Sequence, residues 1–169
     1  MSHSNNTKKP GTLKLLFAVS RPEFLPANSA SLIIGLAWGL TLPLDVFWGV
    51  ALPLILAFAA LSFVGAFAAH INTYADYELD QKDDTKKKLT AAMSQLGKGK
   101  LKTAMIIEVA ISLMFILALS FLQAKPVLLL MWMATVFLAF AYSAKPLRLK
   151  SHSFFAVLTL LTVLSVLPV

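Results

Sequence analysis

Long apolar blocks separated by short polar segments make up most of this chain. About 20 helical residues cross a bilayer core of roughly 30 Å. The pattern therefore predicts an all-α fold, a polytopic transmembrane helix bundle formed by residues 25–169. A polar N-terminal segment, 1–24, precedes the bundle, and a polar loop, 81–102, divides it. The apolar blocks are residues 25–44, 46–75, 103–124, 126–144 and 154–169.

The composition supports a membrane protein and argues against several other classes. Of 169 residues, 58% are hydrophobic and 14% are charged, and the mean hydropathy is +0.76. A soluble domain carries about 25% charged residues, so these values argue against a soluble enzyme or a disordered tail. The chain has no cysteine. This excludes a disulfide-stapled domain, thiolate metal sites and cysteine redox chemistry.

The net charge of +7 comes from basic residues placed beside the apolar blocks. Four Lys or Arg residues lie in segment 1–24, seven in loop 81–102 and three in segment 145–150, whereas the alternate loops hold only Lys125. Because cytoplasmic loops carry the excess of Lys and Arg, we expect the N-terminus and the basic loops to be cytoplasmic, in an inner or plasma membrane. This placement explains the charge without nucleic acid as a partner.

The fifth apolar block is shorter than a full span. It contains 16 residues, 154–169, and is still apolar at Val169. A full span takes about 20 residues. We therefore expect this chain to be the N-terminal part of a longer protein and to supply about five transmembrane helices.

Three oxygen-bearing side chains follow one another at four-residue intervals near the end of the second block. They are Asn72, Asp76 and Asp80. On an α-helix this spacing puts them on one face, rising about 6 Å per step. Carboxylate and amide oxygens suit a hard cation such as Mg²⁺, so the stripe is a candidate metal site. The alternative is a solvated helix end, because Asp80 lies at the boundary with the loop.

A second polar cluster lies at the end of the fourth block, on the same side of the membrane. Its Tyr142 hydroxyl and one of its bases, Lys145, Arg148 or Lys150, are candidates for holding phosphate oxygens opposite the metal. The alternative is interfacial anchoring, since Tyr and Lys are enriched at membrane surfaces. Inside the apolar blocks, we expect Glu108 either to hydrogen-bond across the bundle or to line its interior, and His70 to be a packed polar residue.

These residues together resemble the UbiA superfamily of intramembrane prenyltransferases. The pattern from Asn72 to Asp80 matches the family's first aspartate motif, NxxxDxxxD. Ser20-Arg21-Pro22 resembles the start of the family's first helix, and Tyr142-Ser143 with Pro146, Leu147 and Lys150 resembles the junction of its fourth and fifth helices. The chain departs from the family's YxxxK element, because the lysine after Tyr142 comes at three residues, as Lys145, and proline occupies the fourth position.

The resemblance implies a bundle of nine helices, of which about five are present here. It also implies a reaction, in which an isoprenyl diphosphate binds through Mg²⁺ and its prenyl group passes to an acceptor within the membrane. Asn72, Asp76 and Asp80 would be metal ligands, with Asp76 and Asp80 catalytic, and Tyr142, Lys145 and Arg21 would orient the diphosphate. The family's second aspartate motif, DxxxD, has no counterpart in the sequence.

Two questions stay open at the level of sequence. The residues around Asn72 and Arg21 resemble the dihydroxynaphthoate (menaquinone) branch more than the hydroxybenzoate branch, while carotenoid-elongating and archaeal-lipid branches remain alternatives. The second concerns activity itself. Because the second aspartate motif is missing, the rival hypothesis is a non-catalytic membrane protein: a remnant, a partner-binding subunit or a small cation-handling protein.

Overall fold

The computed structural model describes residues 10–21, residue 37 and residues 43–161. Within these residues the chain forms six α-helices and two short 3-10 turns, with no strand, so the all-α prediction is confirmed. The first predicted span, 25–44, and the end of the fifth block fall mostly outside the described residues. The helices are α1 (Thr12–Val19), α2 (Leu44–Asp80), α3 (Lys87–Leu96), α4 (Lys98–Gln123), α5 (Val127–Ser143) and α6 (Ser153–Leu161), and the turns are Asp84–Lys86 and Leu149–Ser151.

Two of the described helices are long and apolar enough to cross a membrane. They are α2, over Gly49–Asp80, and α4, over Lys98–Gln123. Only 17% and 22% of their most apolar stretches are buried within the protein. A core helix of a soluble protein would be mostly buried, so these faces are suited to lipid. The shorter apolar α5 packs beside them.

Helix α2 is longer than its apolar block. Its 37 residues correspond to about 55 Å, well beyond a bilayer core of roughly 30 Å. The apolar block ends at residue 75, but the helix continues to Asp80 because residues 76–80 contain neither Gly nor Pro. Pro53 lies inside the helix without ending it, which membrane helices tolerate. The polar end of α2 therefore keeps helical register.

Residues with special backbone conformations separate the helices. Gly97 joins α3 to α4 with a φ of 83°, a left-handed conformation that costs glycine little because it has no Cβ. Ala124 ends α4 in the left-handed region, and the Lys125 amide donates to the Ser120 carbonyl at 3.0 Å. After α5, Pro146 disfavours helix for the residue before it. These breaks reverse the chain, so that the end of α2, the start of α4 and the end of α5 come together.

We call that end the basic end of the bundle, defined by Asp80, Lys98 and Ser143. Nearest to it, α2, α4 and α5 pack through a buried cluster of Phe67, Ile71, Met105 and Ala139. Farther away, Ala60, Ile116 and Leu119 form a second buried cluster with partly buried residues of α5. Tight packing is a principal source of cohesion between helices in lipid, where tails are as apolar as the side chains.

A hydroxyl at the centre of the bundle joins three helices. Ser112 on α4 is fully buried and donates to the Ala60 carbonyl of α2 at 2.9 Å. Trp132 on α5 donates its indole N–H to the Ser112 hydroxyl oxygen at 2.7 Å. Because lipid offers no substitute partner, each of these groups depends on the others.

The segment predicted as a loop, 81–102, contains helix α3 and the first turn of α4. Helix α3 is amphipathic, and its buried Met93 and Leu96 pack on Leu15 and Val19 of α1 and on Leu101 of α4. The lysines of this helix, Lys87 and Lys88, are exposed. The basic end therefore carries a small helical cap with its own apolar core.

The contribution of the Ser112 hydroxyl to helix packing can be tested by substitution. Ser112→Ala removes the acceptor of the Trp132 indole and leaves that N–H without a partner in an apolar site. We expect a loss of about 1–3 kcal/mol of unfolding free energy, the usual cost of stranding one buried polar group, measured by thermal unfolding in detergent. The matched control is Ser120→Ala, whose exposed hydroxyl bonds only the Lys125 carbonyl. Equal stability of the two variants would contradict the central role of Ser112.

Candidate functional site

The polar face of α2 at the basic end carries the candidate site. Asn72, Asp76 and Asp80 all lie within the continuous helix, so the four-residue spacing places them on one face as the sequence predicts. Asp80 is the last helical residue and is 6% exposed. It is therefore buried, and the alternative of a solvated helix end does not hold for it.

Asp76 is paired with two cations from a distant part of the chain. Its Oδ1 accepts from Arg148 Nη2 at 2.9 Å, and its Oδ2 accepts from Lys150 Nζ at 2.5 Å. Both bases belong to the turn between α5 and α6. Each of the three side chains is less than one-third exposed, a setting in which ion pairs are screened less than on an open surface. Asp76 thus fastens this turn to α2.

Asn72 completes the same contact one helical turn earlier. Its Oδ1 accepts from Lys150 Nζ at 2.6 Å and from the Ser143 hydroxyl at 3.2 Å. The ammonium of Lys150 can only donate, so the oxygen of the amide must face it. Lys150 therefore bridges two of the three oxygen-bearing side chains of the stripe.

Asp80 is paired with a different cation. Lys86, in the turn that follows α2, donates to Asp80 Oδ1 at 2.6 Å. The neighbouring acids are used elsewhere: Asp83 accepts from the hydroxyl and amide of Thr85, which lower the pKa of Asp83, and Asp84 is exposed beside Lys87. Lys86 Nζ also lies 3.9 Å from Asp83 Oδ2, so this lysine joins the buried Asp80 to an acid at the surface.

The residues predicted to orient the diphosphate lie in different settings. Tyr142 is half-buried, and Lys145 is exposed on the turn after α5. Among the described residues, neither makes a hydrogen bond or ion pair with Asn72, Asp76 or Asp80. Arg21 follows α1 in the left-handed region, with a φ of 55°, and is partly exposed. Their roles stay predictions.

The bases that contact the stripe are not among the predicted site residues. Arg148 and Lys150 belong to the second polar cluster and Lys86 follows the stripe, but juxtamembrane cations are expected for topology alone. The only signal that distinguished Lys150 was its place in the pattern after Pro146. Helical spacing reveals neighbours within one helix, but it cannot reveal that a turn more than 70 residues later folds back onto Asp76.

A second network of buried hydrogen bonds joins α2 to α1 and α4 next to the stripe. His70 Nδ1 lies 2.8 Å from Glu108 Oε1, and His70 Nε2 lies 3.2 Å from the Leu16 carbonyl oxygen. The Thr73 hydroxyl donates to the Val19 carbonyl at 3.1 Å. Glu108 thus hydrogen-bonds across the bundle, one of the two predicted alternatives. Together these bonds tie α1 and α4 to α2 beside Asn72.

The donor set of the stripe fits a magnesium ion in its chemistry. It offers one amide oxygen and two carboxylates, and Mg²⁺ takes oxygen ligands and usually keeps water and substrate phosphate in its shell. Among the described residues, no three His, Cys, Asp or Glu side chains come together closely enough to hold a metal ion. The stripe itself combines two acids with an amide.

Comparison with known proteins decides the family. A model of the UbiA prenyltransferase family matches residues 27–169. The chain belongs to the UbiA prenyltransferase family. Comparison with curated proteins and with solved structures gives no match.

Membership agrees with the position of the site. UbiA prenyltransferases are membrane-integral enzymes that transfer prenyl groups and generally use Mg²⁺ through aspartate motifs. The matched region contains the stripe on α2, the helices α4 and α5, and the turn between α5 and α6. The resemblance inferred from the aspartate pattern is confirmed.

The contact between Asp76 and the turn after α5 can be tested without any ligand. In Asp76→Asn the turn loses its charged acceptor, so the amides of Ser151 and His152, which bond within that turn, should exchange hydrogen faster. We expect a factor of about ten or more, which corresponds to losing one charge-assisted hydrogen bond, measured by exchange mass spectrometry. Glu78→Gln on the same helix is the control, because Glu78 is exposed and contacts only Lys98. Unchanged exchange in Asp76→Asn would show that the turn is held by other contacts.

Proposed function

We propose that this chain forms the first-aspartate-motif half of a Mg²⁺-dependent prenyltransferase site. The observation that carries the proposal is the convergence of Asp76, Asp80 and three cations at one end of apolar helices. Carboxylates suit a divalent ion, and Lys and Arg suit phosphate oxygens. A prenyl diphosphate needs both at its head, and it needs an apolar surrounding for its tail.

The residues divide these tasks between them. Asn72, Asp76 and Asp80 would hold Mg²⁺, which when bound neutralises charge on the diphosphate oxygens. Arg148 and Lys150, which contact the oxygens of Asn72 and Asp76, would bind the departing diphosphate. Preorganised charges of this kind act where charge develops in the transition state. We keep Tyr142, Lys145 and Arg21 as further proposed diphosphate-binding residues.

The bond changes follow from the substrate. The bond between the first prenyl carbon and the diphosphate oxygen breaks, and its electron pair leaves with the diphosphate. The resulting allylic, carbocation-like prenyl group is captured by a nucleophilic ring carbon of the acceptor. That carbon then loses the group it carried, a proton or, where it bears the carboxylate, carbon dioxide, and the ring becomes aromatic again. The apolar faces of α2, α4 and α5 would keep water from that intermediate. An apolar cavity of about 130 Å³ lies between these helices, lined by residues that include Ala60, Ile116 and Trp132.

We further propose the acceptor and the orientation. The acceptor is a menaquinone-type dihydroxynaphthoate, as the residues around Asn72 suggest. The basic end faces the cytoplasm of an inner or plasma membrane, and the strong excess of Lys and Arg at that end supports this orientation. A panel with dihydroxynaphthoate and hydroxybenzoate as competing acceptors tests the first point. Preferential prenylation of hydroxybenzoate would refute it.

Substitution of the motif acids tests the catalytic proposal. In the full-length protein, Asp76→Asn and Asp80→Asn should each lower kcat by about a hundredfold or more, the scale found when one charge-stabilising group is lost. The assay measures Mg²⁺-dependent transfer from a prenyl diphosphate in membranes. Glu78→Gln, on the exposed side of α2, is the control and should keep activity. Mg²⁺-dependent turnover that persists in both Asp variants would refute the assignment.

A further inference from the structure

The oxygen atoms of the stripe already carry cationic donors. Asn72 Oδ1 accepts two hydrogen bonds, from Lys150 and from Ser143. An amide oxygen has two lone pairs, so both are used. The Asp76 oxygens are divided between Arg148 and Lys150.

This saturation restricts how a metal ion can enter. For Asn72 to ligate a cation, either Lys150 or Ser143 must give up its hydrogen bond. A cation held by Asn72 and Asp76 would need the space beside Asn72 Oδ1 and Asp76 Oδ2. The Lys150 nitrogen occupies that place now, 2.6 Å from the first oxygen and 2.5 Å from the second. Repulsion between like charges identifies Lys150, rather than the neutral Ser143 hydroxyl, as the group that leaves.

We infer that the Lys150 ammonium occupies the motif until a divalent ion enters. It then leaves Asn72 and Asp76 and contacts the diphosphate. The inference rests on the proposed function and concerns the order in which that site is loaded. The Lys150 side chain is suited to such a move, because its four-carbon stem is flexible and its ammonium is a compact point charge. Arg148, which contacts only Asp76 Oδ1, stays to hold the turn.

The charges around the stripe explain why the exchange would be coupled to substrate. At Asp76 one carboxylate faces two cations, Arg148 and Lys150, whereas Lys86 is shared between Asp80 and Asp83. A divalent ion alone meets a cluster that already has excess positive charge. A diphosphate supplies the compensating negative charge and an acceptor for the released ammonium. Metal and diphosphate therefore favour each other at this site.

The first experiment measures metal binding alone. Mn²⁺ serves as the probe, and electron paramagnetic resonance reports free Mn²⁺ in the presence of the detergent-solubilised full-length protein. Lys150→Met should bind Mn²⁺ at least about tenfold more tightly than the parent, the factor that one charge-assisted hydrogen bond represents. Lys150→Arg keeps a cation at the stripe and should stay near the parent affinity. Lys87→Met, which removes an exposed lysine paired only with Asp84, is the control for loss of charge.

The outcomes separate the inference from the function beneath it. Binding that depends on Asp76 but is no tighter in Lys150→Met overturns the exchange and leaves the proposed function standing. Equal tightening in Lys87→Met and Lys150→Met also overturns the exchange, because general charge repulsion would then explain it. The absence of any Asp76-dependent Mn²⁺ binding, in the parent and in Lys150→Met, overturns both.

A second measurement needs no variant and covers the case in which Lys150→Met does not fold. Lys150 is now 15% exposed. Mg²⁺ should raise its acylation by an amine-reactive reagent several-fold relative to Lys87, as read by mass spectrometry, and added pyrophosphate should protect it again. Acylation of Lys150 that does not change while the metal binds would overturn the exchange.

Discussion

Every buried polar side chain in this bundle needs a partner, because lipid supplies none. Among the described residues, no buried side-chain nitrogen or oxygen lacks a hydrogen bond. Ser112 meets this demand by joining α2, α4 and α5, and His70 meets it by joining α2 to Glu108 and to α1. These pairings select one arrangement among the many that apolar packing alone would allow.

The same constraint shapes the basic end. Asp76 and Asp80 sit where water is limited, and an isolated carboxylate there would be costly. Arg148 and Lys150, in the turn after α5, offset this cost at Asp76. Lys86, in the turn after α2, offsets it at Asp80. The partners that make the acids tolerable are also cations suited to phosphate. Stability and the proposed chemistry thus depend on the same contacts.

The helical cap, formed by α1 and α3, packs against the basic end of the bundle. Helices α1 and α3 bury Val19 and Met93 against the start of α4, and Thr73 binds the last carbonyl of α1. A helix end leaves carbonyls without intrahelical partners, so side chains of α2 at this point fix α1 in place. The stripe therefore rests on a packed support, while Lys150 approaches it on a short turn.

The sequence by itself determined the class of fold, the family and the alignment of three oxygen-bearing side chains on one helix face. Apolar blocks of membrane length and a four-residue spacing are local properties, and Asn72, Asp76 and Asp80 share a helix face whatever surrounds them. The first predicted span lies outside the described residues, so part of the bundle stays a prediction. Only the tertiary structure decided that 81–102 holds a packed helix, and that Arg148 and Lys150, rather than Lys145, contact the motif. Those pairings join segments more than 70 residues apart, and they follow from which buried charge finds its partner in three dimensions.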